Sequence, residues 1–420
     1  MTKGAGQLER LNTLLGALYP GNGFYRQQIE AAGLTEGARS LDHFRTAFPF
    51  TTKEALSQDQ RTHPPYGTAR TYPLEHYTRF HRTSGTTGRP LYWLDTPDSW
   101  QWTLENWACV LREAGATAGT VALFAFSFGP FLGFWSAFEA ALQVGLRCLP
   151  GGGLSTRLRL ELVRDHGVEL LCCTPTYALH LAETASQEGI DLRGCALRTI
   201  VVGGEPGGSS PALRARLLEL LPQVRLFDHH GMTEVGPVSY EDPAHPGRLR
   251  LLEDRYLIEV IDPEKATAVE PGQVGELVLT NLGRTACPLL RYRTGDLVQP
   301  VLLDDGGWDE AALALDGGIL GRVDDMVVVR GVNLYPSAVD EVMRGVPGTG
   351  EYQVCLSRHG TMAELALRVE PREANPAARN LAEQVQAALR DAFALRIQVD
   401  VVEPGSLPRF EMKARRWVEA

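Results

Sequence analysis

Four short apolar runs between residues 121 and 227, separated by segments of helical pattern, constrain the fold of this chain more than any other feature. They span 121–126, 170–173, 199–202 and 224–227. Each is nearly continuous in apolar residues, the pattern of a strand covered on both faces. The segments between them have marked helix starts. Thr174 precedes Pro175 and Ser210 precedes Pro211, each pair an N-cap hydroxyl followed by proline at the first helical position. Leu213, Leu217, Leu220 and Leu221 then repeat at i, i+4, i+7 and i+8, giving one apolar face. Strand–helix–strand alternation implies right-handed crossovers and a largely parallel sheet covered by helices.

The remainder has a different texture. Residues 1–80 read as mostly helical, punctuated by Gly21, Gly23 and Pro49. After about residue 247, strand-like stretches at 256–261, 275–280 and 294–300 are separated by Gly, Pro and Asp turns, which predicts a smaller β-rich subdomain. From 326 the order reads strand (326–329), helix (336–344), strands (353–357 and 363–369), helix (376–393) and strand (397–402). The predicted fold class is therefore α/β. A large N-terminal domain over 1–323 has parallel sheets covered by helices plus the β-rich subdomain, and a small mobile α+β domain occupies 324–420.

The 420 residues are 44% hydrophobic and 22% charged, an ordinary globular balance with ample material for a large core. A net charge of −10 without a long basic run argues against nucleic acid as a partner. No apolar run reaches the roughly 18 residues of a membrane span, and residues 1–10 carry no apolar signal core, so no membrane partner and a cytoplasmic location are expected. Seven scattered cysteines (109, 148, 172, 173, 195, 287 and 355) form no C-x-x-C pair and read as buried free thiols. Only four of the 41 basic residues are lysine, at 3, 53, 265 and 413.

The stretch 82–90 reads R-T-S-G-T-T-G-R-P. Glycines there permit tight turns and close approach, and backbone N–H and hydroxyl groups supply donors for a polyphosphate. Surface turns share this composition, so the weight lies in the motifs that follow in order. These are F-P-F-T-T-K-E-A-L (48–56) before it, then L-C-C-T-P-T-Y-A-L (171–179), G-G-E-P (203–206) and D-H-H-G-M-T-E-V-G-P (228–237). G-E-L-V-L-T-N-L (275–282), R-Y-R-T-G-D (291–296), G-R-V-D-D-M-V-V-V-R-G-V-N-L-Y-P (321–336) and P-R-F-E-M-K-A-R-R (408–416) complete the set. Together they resemble the adenylate-forming enzymes of the acyl-CoA synthetase superfamily, and within it most the phenylacetate-CoA ligase group, over nearly the whole chain.

The resemblance implies two half-reactions: attack of a carboxylate on the α-phosphorus of ATP, then displacement of AMP by a thiol. By the same resemblance Thr83, Ser84, Gly85, Thr86, Thr87 and Gly88 hold the β- and γ-phosphates. Thr233 contacts the α-phosphate, and Glu234 ligates Mg2+, for which a hard carboxylate oxygen is suited. Gly204, Glu205, Asp228, His229 and His230 face the adenine, and Pro206, Gly231 and Met232 belong to the same ATP- and AMP-binding set. Asp296 accepts the ribose hydroxyls, and Arg322 supports the ribose or phosphate. Lys413 is the adenylation lysine, an ammonium placed between carboxylate and phosphate. Asp324 is the hinge, about which Gly331, Val332 and Asn333 swing toward a coenzyme A channel. Phe126, Phe128, Phe131 and Gly203 line the acyl pocket. Blander readings stand beside these: a helix-start turn for Thr233 and Glu234, a turn aspartate at 296, a solvated Lys413, and plain core for the phenylalanines.

Two departures from the group matter. Relatives usually carry tyrosine where His230 stands. Many also carry a zinc site of Cys and His after the glutamate motif and a Cys-x-Cys-Gly before the hinge. Here those stretches read V-S-Y-E-D-P-A-H-P-G (238–247) and L-D-D-G-G-W-D-E-A-A-L (303–313), so no structural zinc is expected, and packing around Trp308 and Tyr240 takes its place. The resemblance thus implies ATP-dependent, AMP-forming activation of an aryl or arylacetic acid and transfer to coenzyme A, with a homodimer possible. The alternatives are transfer to an amine, or adenylylation of a cofactor such as a deazaflavin, without coenzyme A. A non-catalytic nucleotide-binding scaffold is the reading from another class.

Overall fold

A computed structural model describes residues 2–83, 90–126, 128–304, 307–329, 332–359, 362–372, 380–410 and 414–419. Its centre is a five-stranded sheet in the order Arg147–Pro150, Val121–Phe124, Leu170–Cys173, Thr199–Val202 and Arg225–Asp228. Every neighbouring pair in it is parallel. Side chains alternate across it. Leu123, Leu171, Ile200 and Leu226 enter a core containing residues of the helices Thr156–Asp165, Pro175–Gln187 and Pro211–Leu220. Ala122, Phe124, Cys172, Val201 and Phe227 enter the opposite core, with Pro97–Glu113 and Leu132–Val144. The anticipated caps are present: Thr174 accepts from the Tyr177 amide at 3.2 Å and Ser210 from the Leu213 amide at 3.1 Å. Leu213, Leu217 and Leu221 are buried.

Boundaries moved where local bonding competes. The last strand begins at Arg225 because the Val224 amide closes a turn onto Leu221. The stretch expected as one strand over 294–300 divides into Tyr292–Val298 and Pro300–Leu302, which belong to different four-stranded sheets. Proline cannot donate to a continuing ladder. The first of these sheets runs Tyr256–Ile261, Gly275–Asn281, Tyr292–Val298, Gly321–Arg322, and the second Ser239–Glu241, Arg248–Leu251, Leu313–Asp316, Pro300–Leu302. N-terminal helices Lys3–Leu18, Arg26–Ala31 and Leu41–Ala47 pack on this β-rich part through Leu257, Leu282 and Leu290.

The C-terminal part is a small α+β unit. A hairpin of Val327–Val329 and Val332–Leu334 leads to the helix Pro336–Gly345. A four-stranded sheet follows, ordered Gln398–Val401, Met362–Pro371, Thr349–His359, Trp417–Glu419, with the helix Leu381–Phe393 contributing to its core. The Trp417–Glu419 strand, parallel to Thr349–His359, was not anticipated. All seven cysteines are free, and no helix among the described residues is long and apolar enough to cross a membrane.

Candidate active site

The strands Arg79–Arg82 and Tyr92–Asp95 form an antiparallel pair. At its end Thr83 and Leu91 close onto each other: the Thr83 amide donates to the Leu91 carbonyl, and the Leu91 amide to Thr83 Oγ1, both at 3.0 Å. This pins both ends of the Gly-rich loop. Ser84, Gly85, Thr86, Thr87 and Gly88 themselves lie outside the described residues, as do Gly331 and Lys413.

Gly231–Met232 pairs with Gly236–Pro237, so Thr233, Glu234 and Val235 form the tip of a very short hairpin. A β-carbon on Gly231 would meet the Gly236 carbonyl oxygen at 2.9 Å, so the crossing needs glycine. The tip is held from beneath by a guanidinium. Arg284 Nη1 donates to the carbonyls of Thr233 (3.1 Å) and Glu234 (2.8 Å), while its Nε and Nη2 each reach Asp95 at 2.7 Å. Both side chains are fully buried. Burial works to strip charge from Arg284, but Asp95 outweighs it and the net shift is upward. The Tyr256 hydroxyl adds support, 2.7 Å and 2.9 Å from the carbonyls of Val235 and Pro237. Glu234 is itself buried, with Lys53 Nζ 3.9 Å from its carboxylate.

Asp296 lies at the centre of a charged chain. His230 Nε2 is 3.0 Å from Oδ2, and Arg322 Nη1 donates to Oδ1 at 2.9 Å. Arg322 Nε in turn donates to Asp324 at 2.8 Å. Burial raises the Asp296 pKa, but the His230 hydrogen bond and the charges of His230 and Arg322 prevail, holding it below the usual carboxylate range. Both oxygens are thus engaged from within the protein. In this chain the imidazole at 230 is a partner of the carboxylate expected to meet the ribose.

Asp228 and His229 turn elsewhere. The Asp228 carboxyl accepts from Ser209 Oγ at 2.7 Å and packs so closely on Gly208 that no β-carbon fits there. Burial pushes its pKa up to about 6. His229 sits edge-on to Trp107 with ring centroids 4.3 Å apart, and burial lowers its pKa to about 3, a neutral imidazole. A β-carbon on Gly203 would overlap this ring at 2.5 Å. Gly204 has φ of +88°. Beside it, the Glu205 carboxylate accepts from the amides of Thr176 and Ala414, each at 2.9 Å.

The phenylalanines pack largely on one another. Phe126 stacks on Phe134 with centroids 4.5 Å apart, Phe131 meets Phe134 edge-on, and Phe128 meets Trp135 and Phe138 edge-on. Phe128 also holds φ at +36°, a strained value for a bulky residue. Val332 pairs with Val329 in the hairpin that follows Asp324, and Asn333 with Val328. Where relatives carry zinc ligands, His245 Nδ1 lies 3.1 Å from Asp242, and Trp308 donates to the Ile258 carbonyl at 3.1 Å. Among the described residues no group of three or more His, Cys, Asp or Glu is placed to hold a metal ion.

Lys53, Asp95 and Arg284 were not singled out from the sequence as site residues. Lys53 left a signal, as one of four lysines and inside a quoted motif. Arg284 left none in so arginine-rich a chain.

With this geometry in place, known proteins give the family. Residues 53–284 match the AMP-binding enzyme family, and residues 331–420 match the AMP-binding enzyme C-terminal domain. The chain belongs to the AMP-binding enzymes, the adenylate-forming superfamily. The phenylacetate-coenzyme A ligase of Thermus thermophilus is 33% identical, over 96% of this chain and 93% of that protein. The crystal structure of 2-hydroxyisobutyryl-CoA ligase with 2-HIB-AMP in the postadenylation state superposes with a TM-score of 0.90 at 29% identity, covering 99% of this chain and 89% of that one. The same ligase with 2-HIB-AMP and CoA in the thioesterification state gives 0.72 at 30% identity and the same coverage.

Proposed function

We propose that this AMP-forming acid–thiol ligase activates an aryl or arylacetic acid and delivers the acyl group to coenzyme A. The observation that carries this reading is the end-to-end likeness to a phenylacetate-coenzyme A ligase, extending through both domains. In the first half-reaction a carboxylate oxygen bonds to the α-phosphorus of ATP and the bond to pyrophosphate breaks. Anion meets polyanion, so the site's work is to place positive charge and exclude water. Lys413 supplies an ammonium between the reacting oxygens, and Lys53 supplies a second positive charge beside Glu234. In the second half-reaction a thiol attacks the acyl carbon and AMP departs.

Glu234 fits a magnesium ion: a buried carboxylate with Lys53 Nζ 3.9 Å away, on a loop fixed from below by Arg284. The metal would neutralise phosphate charge when bound. Asp296, already drawn below its usual pKa, stays ionised and would accept the ribose hydroxyls in exchange for part of its bonding to His230 and Arg322. A second reading, a small branched acid in place of an aromatic one, is favoured by the phenylalanines filling one another's space. Its precedent is the 2-hydroxyisobutyryl adenylate held by the structural relative.

A panel of aryl, arylacetic and short branched acids, assayed for pyrophosphate with and without coenzyme A, separates these readings. Thioester formed fastest from phenylacetate or benzoate supports the first. Preference for the short acids supports the second, and AMP formation without thioester from any acid overturns both.

A further inference from the structure

Between the two parts of the molecule the carboxylates of Glu341 and Glu205 reach across the seam. Glu341, on the helix Pro336–Gly345, reaches the start of the helix Pro211–Leu220, where Ser210 Oγ donates to Oε2 and the Ala212 amide donates to Oε1 at 3.2 Å. Ser210 is at the same time that helix's N-cap. Glu341 therefore takes an orphan helix amide and places negative charge at the positive end of the helix dipole. Glu205 makes the reciprocal crossing, from the loop after the strand Thr199–Val202 to the amide of Ala414, the residue after Lys413.

The helix bearing Glu341 is aimed by its neighbour in sequence. Asp340 turns about 100° away around the axis, into its own domain, where it meets Tyr352 Oη at 2.6 Å, Arg344 at 2.5 Å and Arg416 at 3.5 Å. Asp340 fixes the helix to its sheet; Glu341 fixes the sheet to the other lobe. The arrangement thus held is the one that superposes at 0.90 on the postadenylation form of the relative and at 0.72 on its thioesterification form.

We infer that Glu341 is a positioning residue for adenylation: by binding Ser210 and the Ala212 amide it holds the C-terminal domain where Lys413 serves the first half-reaction, and its release permits the second. This rests on the function proposed above. Full-length Glu341→Ala and Glu341→Gln are compared with the parent in three measurements. These are pyrophosphate release with ATP and phenylacetate, thioester formation from supplied phenylacetyl-adenylate with coenzyme A, and small-angle X-ray scattering of the protein alone. The expected result is a loss of about 10-fold in pyrophosphate release for the alanine variant, the scale of one charge-assisted hydrogen bond. Thioester formation is unchanged or faster, the particle is less compact, and glutamine is intermediate. Equal loss in both half-reactions, or parental rates with parental scattering, overturns the inference. A parent inactive on phenylacetate defeats the substrate reading alone, since scattering still decides the role of Glu341.

Discussion

The support beneath the Glu234 hairpin and the seam between the two domains are built from the same residue types, yet they differ in exposure. Under the hairpin, Arg284 and Asp95 are fully buried and share two bonds of 2.7 Å, and the arginine's remaining nitrogen holds the Thr233 and Glu234 carbonyls. At the seam Arg322 is 29% exposed and Asp324 45%, and the crossings of Glu341 and Glu205 are only part-buried. A buried pair cannot be broken without stranding a charge away from water, whereas a wet pair exchanges partners with solvent at little cost. Charge chemistry alone does not separate what must stay still from what must move. Burial does.

The largest effect follows from removing half of the buried pair. Arg284→Met takes the guanidinium from the buried Asp95, leaving His81 Nδ1 4.0 Å away, and frees two loop carbonyls. Unfolding by denaturant should show a loss of about 3–5 kcal/mol, with pyrophosphate release lost as well. A variant of parental stability would mean that the hairpin is held by Tyr256 and packing, and the contrast with the seam would disappear.

Lys413→Ala tests the other side. Losing a cation from the reacting oxygens should slow pyrophosphate release about 10²–10³-fold, or roughly 3–4 kcal/mol. Conversion of supplied acyl-adenylate to thioester should persist and the folded protein should keep its stability. Equal damage to both halves would show that Lys413 acts as structure, as Arg284 does.

Asp228 sharpens the comparison, because it is buried with a hydroxyl, and no arginine, bonded directly to its carboxyl. Its folded pKa is raised to about 6, chiefly by burial, against about 3.9 unfolded. Between those values the folded chain binds more protons than the unfolded one. Stability therefore falls as pH rises from about 4 to 6 and is level above that. Asp228→Asn should flatten that slope and raise stability at pH 8 by on the order of 2–3 kcal/mol. Stability curves for the two proteins that run parallel from pH 4 to 8 would contradict the assignment.

Much of this was legible in the residues. The parallel sheet could be read because its strands are short, apolar and bounded by capped helices, as at Thr174 and Ser210. The motifs carrying Glu234, Asp296 and Arg322 are local, and so they were visible as strings. What escaped depends on contacts distant in sequence. Arg284 meets Asp95 across 189 positions, and Glu341 meets Ser210 across 131. Trp417–Glu419 is a strand only because Val354, Cys355 and Leu356 are there to pair with it. His230 could be seen to replace a tyrosine, but only the folded chain reveals that it engages Asp296.

The smallest effect on stability is expected at Asp324, and it probes the seam most directly. Its carboxylate takes two bonds from Arg322, at 2.8 Å and 3.2 Å, from a position open to solvent. Asp324→Asn should therefore cost under about 1 kcal/mol in unfolding measurements. Its consequence should appear instead in how the chain divides its time between half-reactions. Arg322, released on that side, turns more fully to Asp296, and if residue 324 is the hinge that the family resemblance implies, rotation about it loses one of its stops. Pyrophosphate release and thioester formation should then change in opposite directions while thermal stability stays near that of the parent. Should the variant instead lose stability on the scale of Arg284→Met, the seam would be a structural joint of the same kind as the hairpin support, and exposure would not mark where this molecule is free to move.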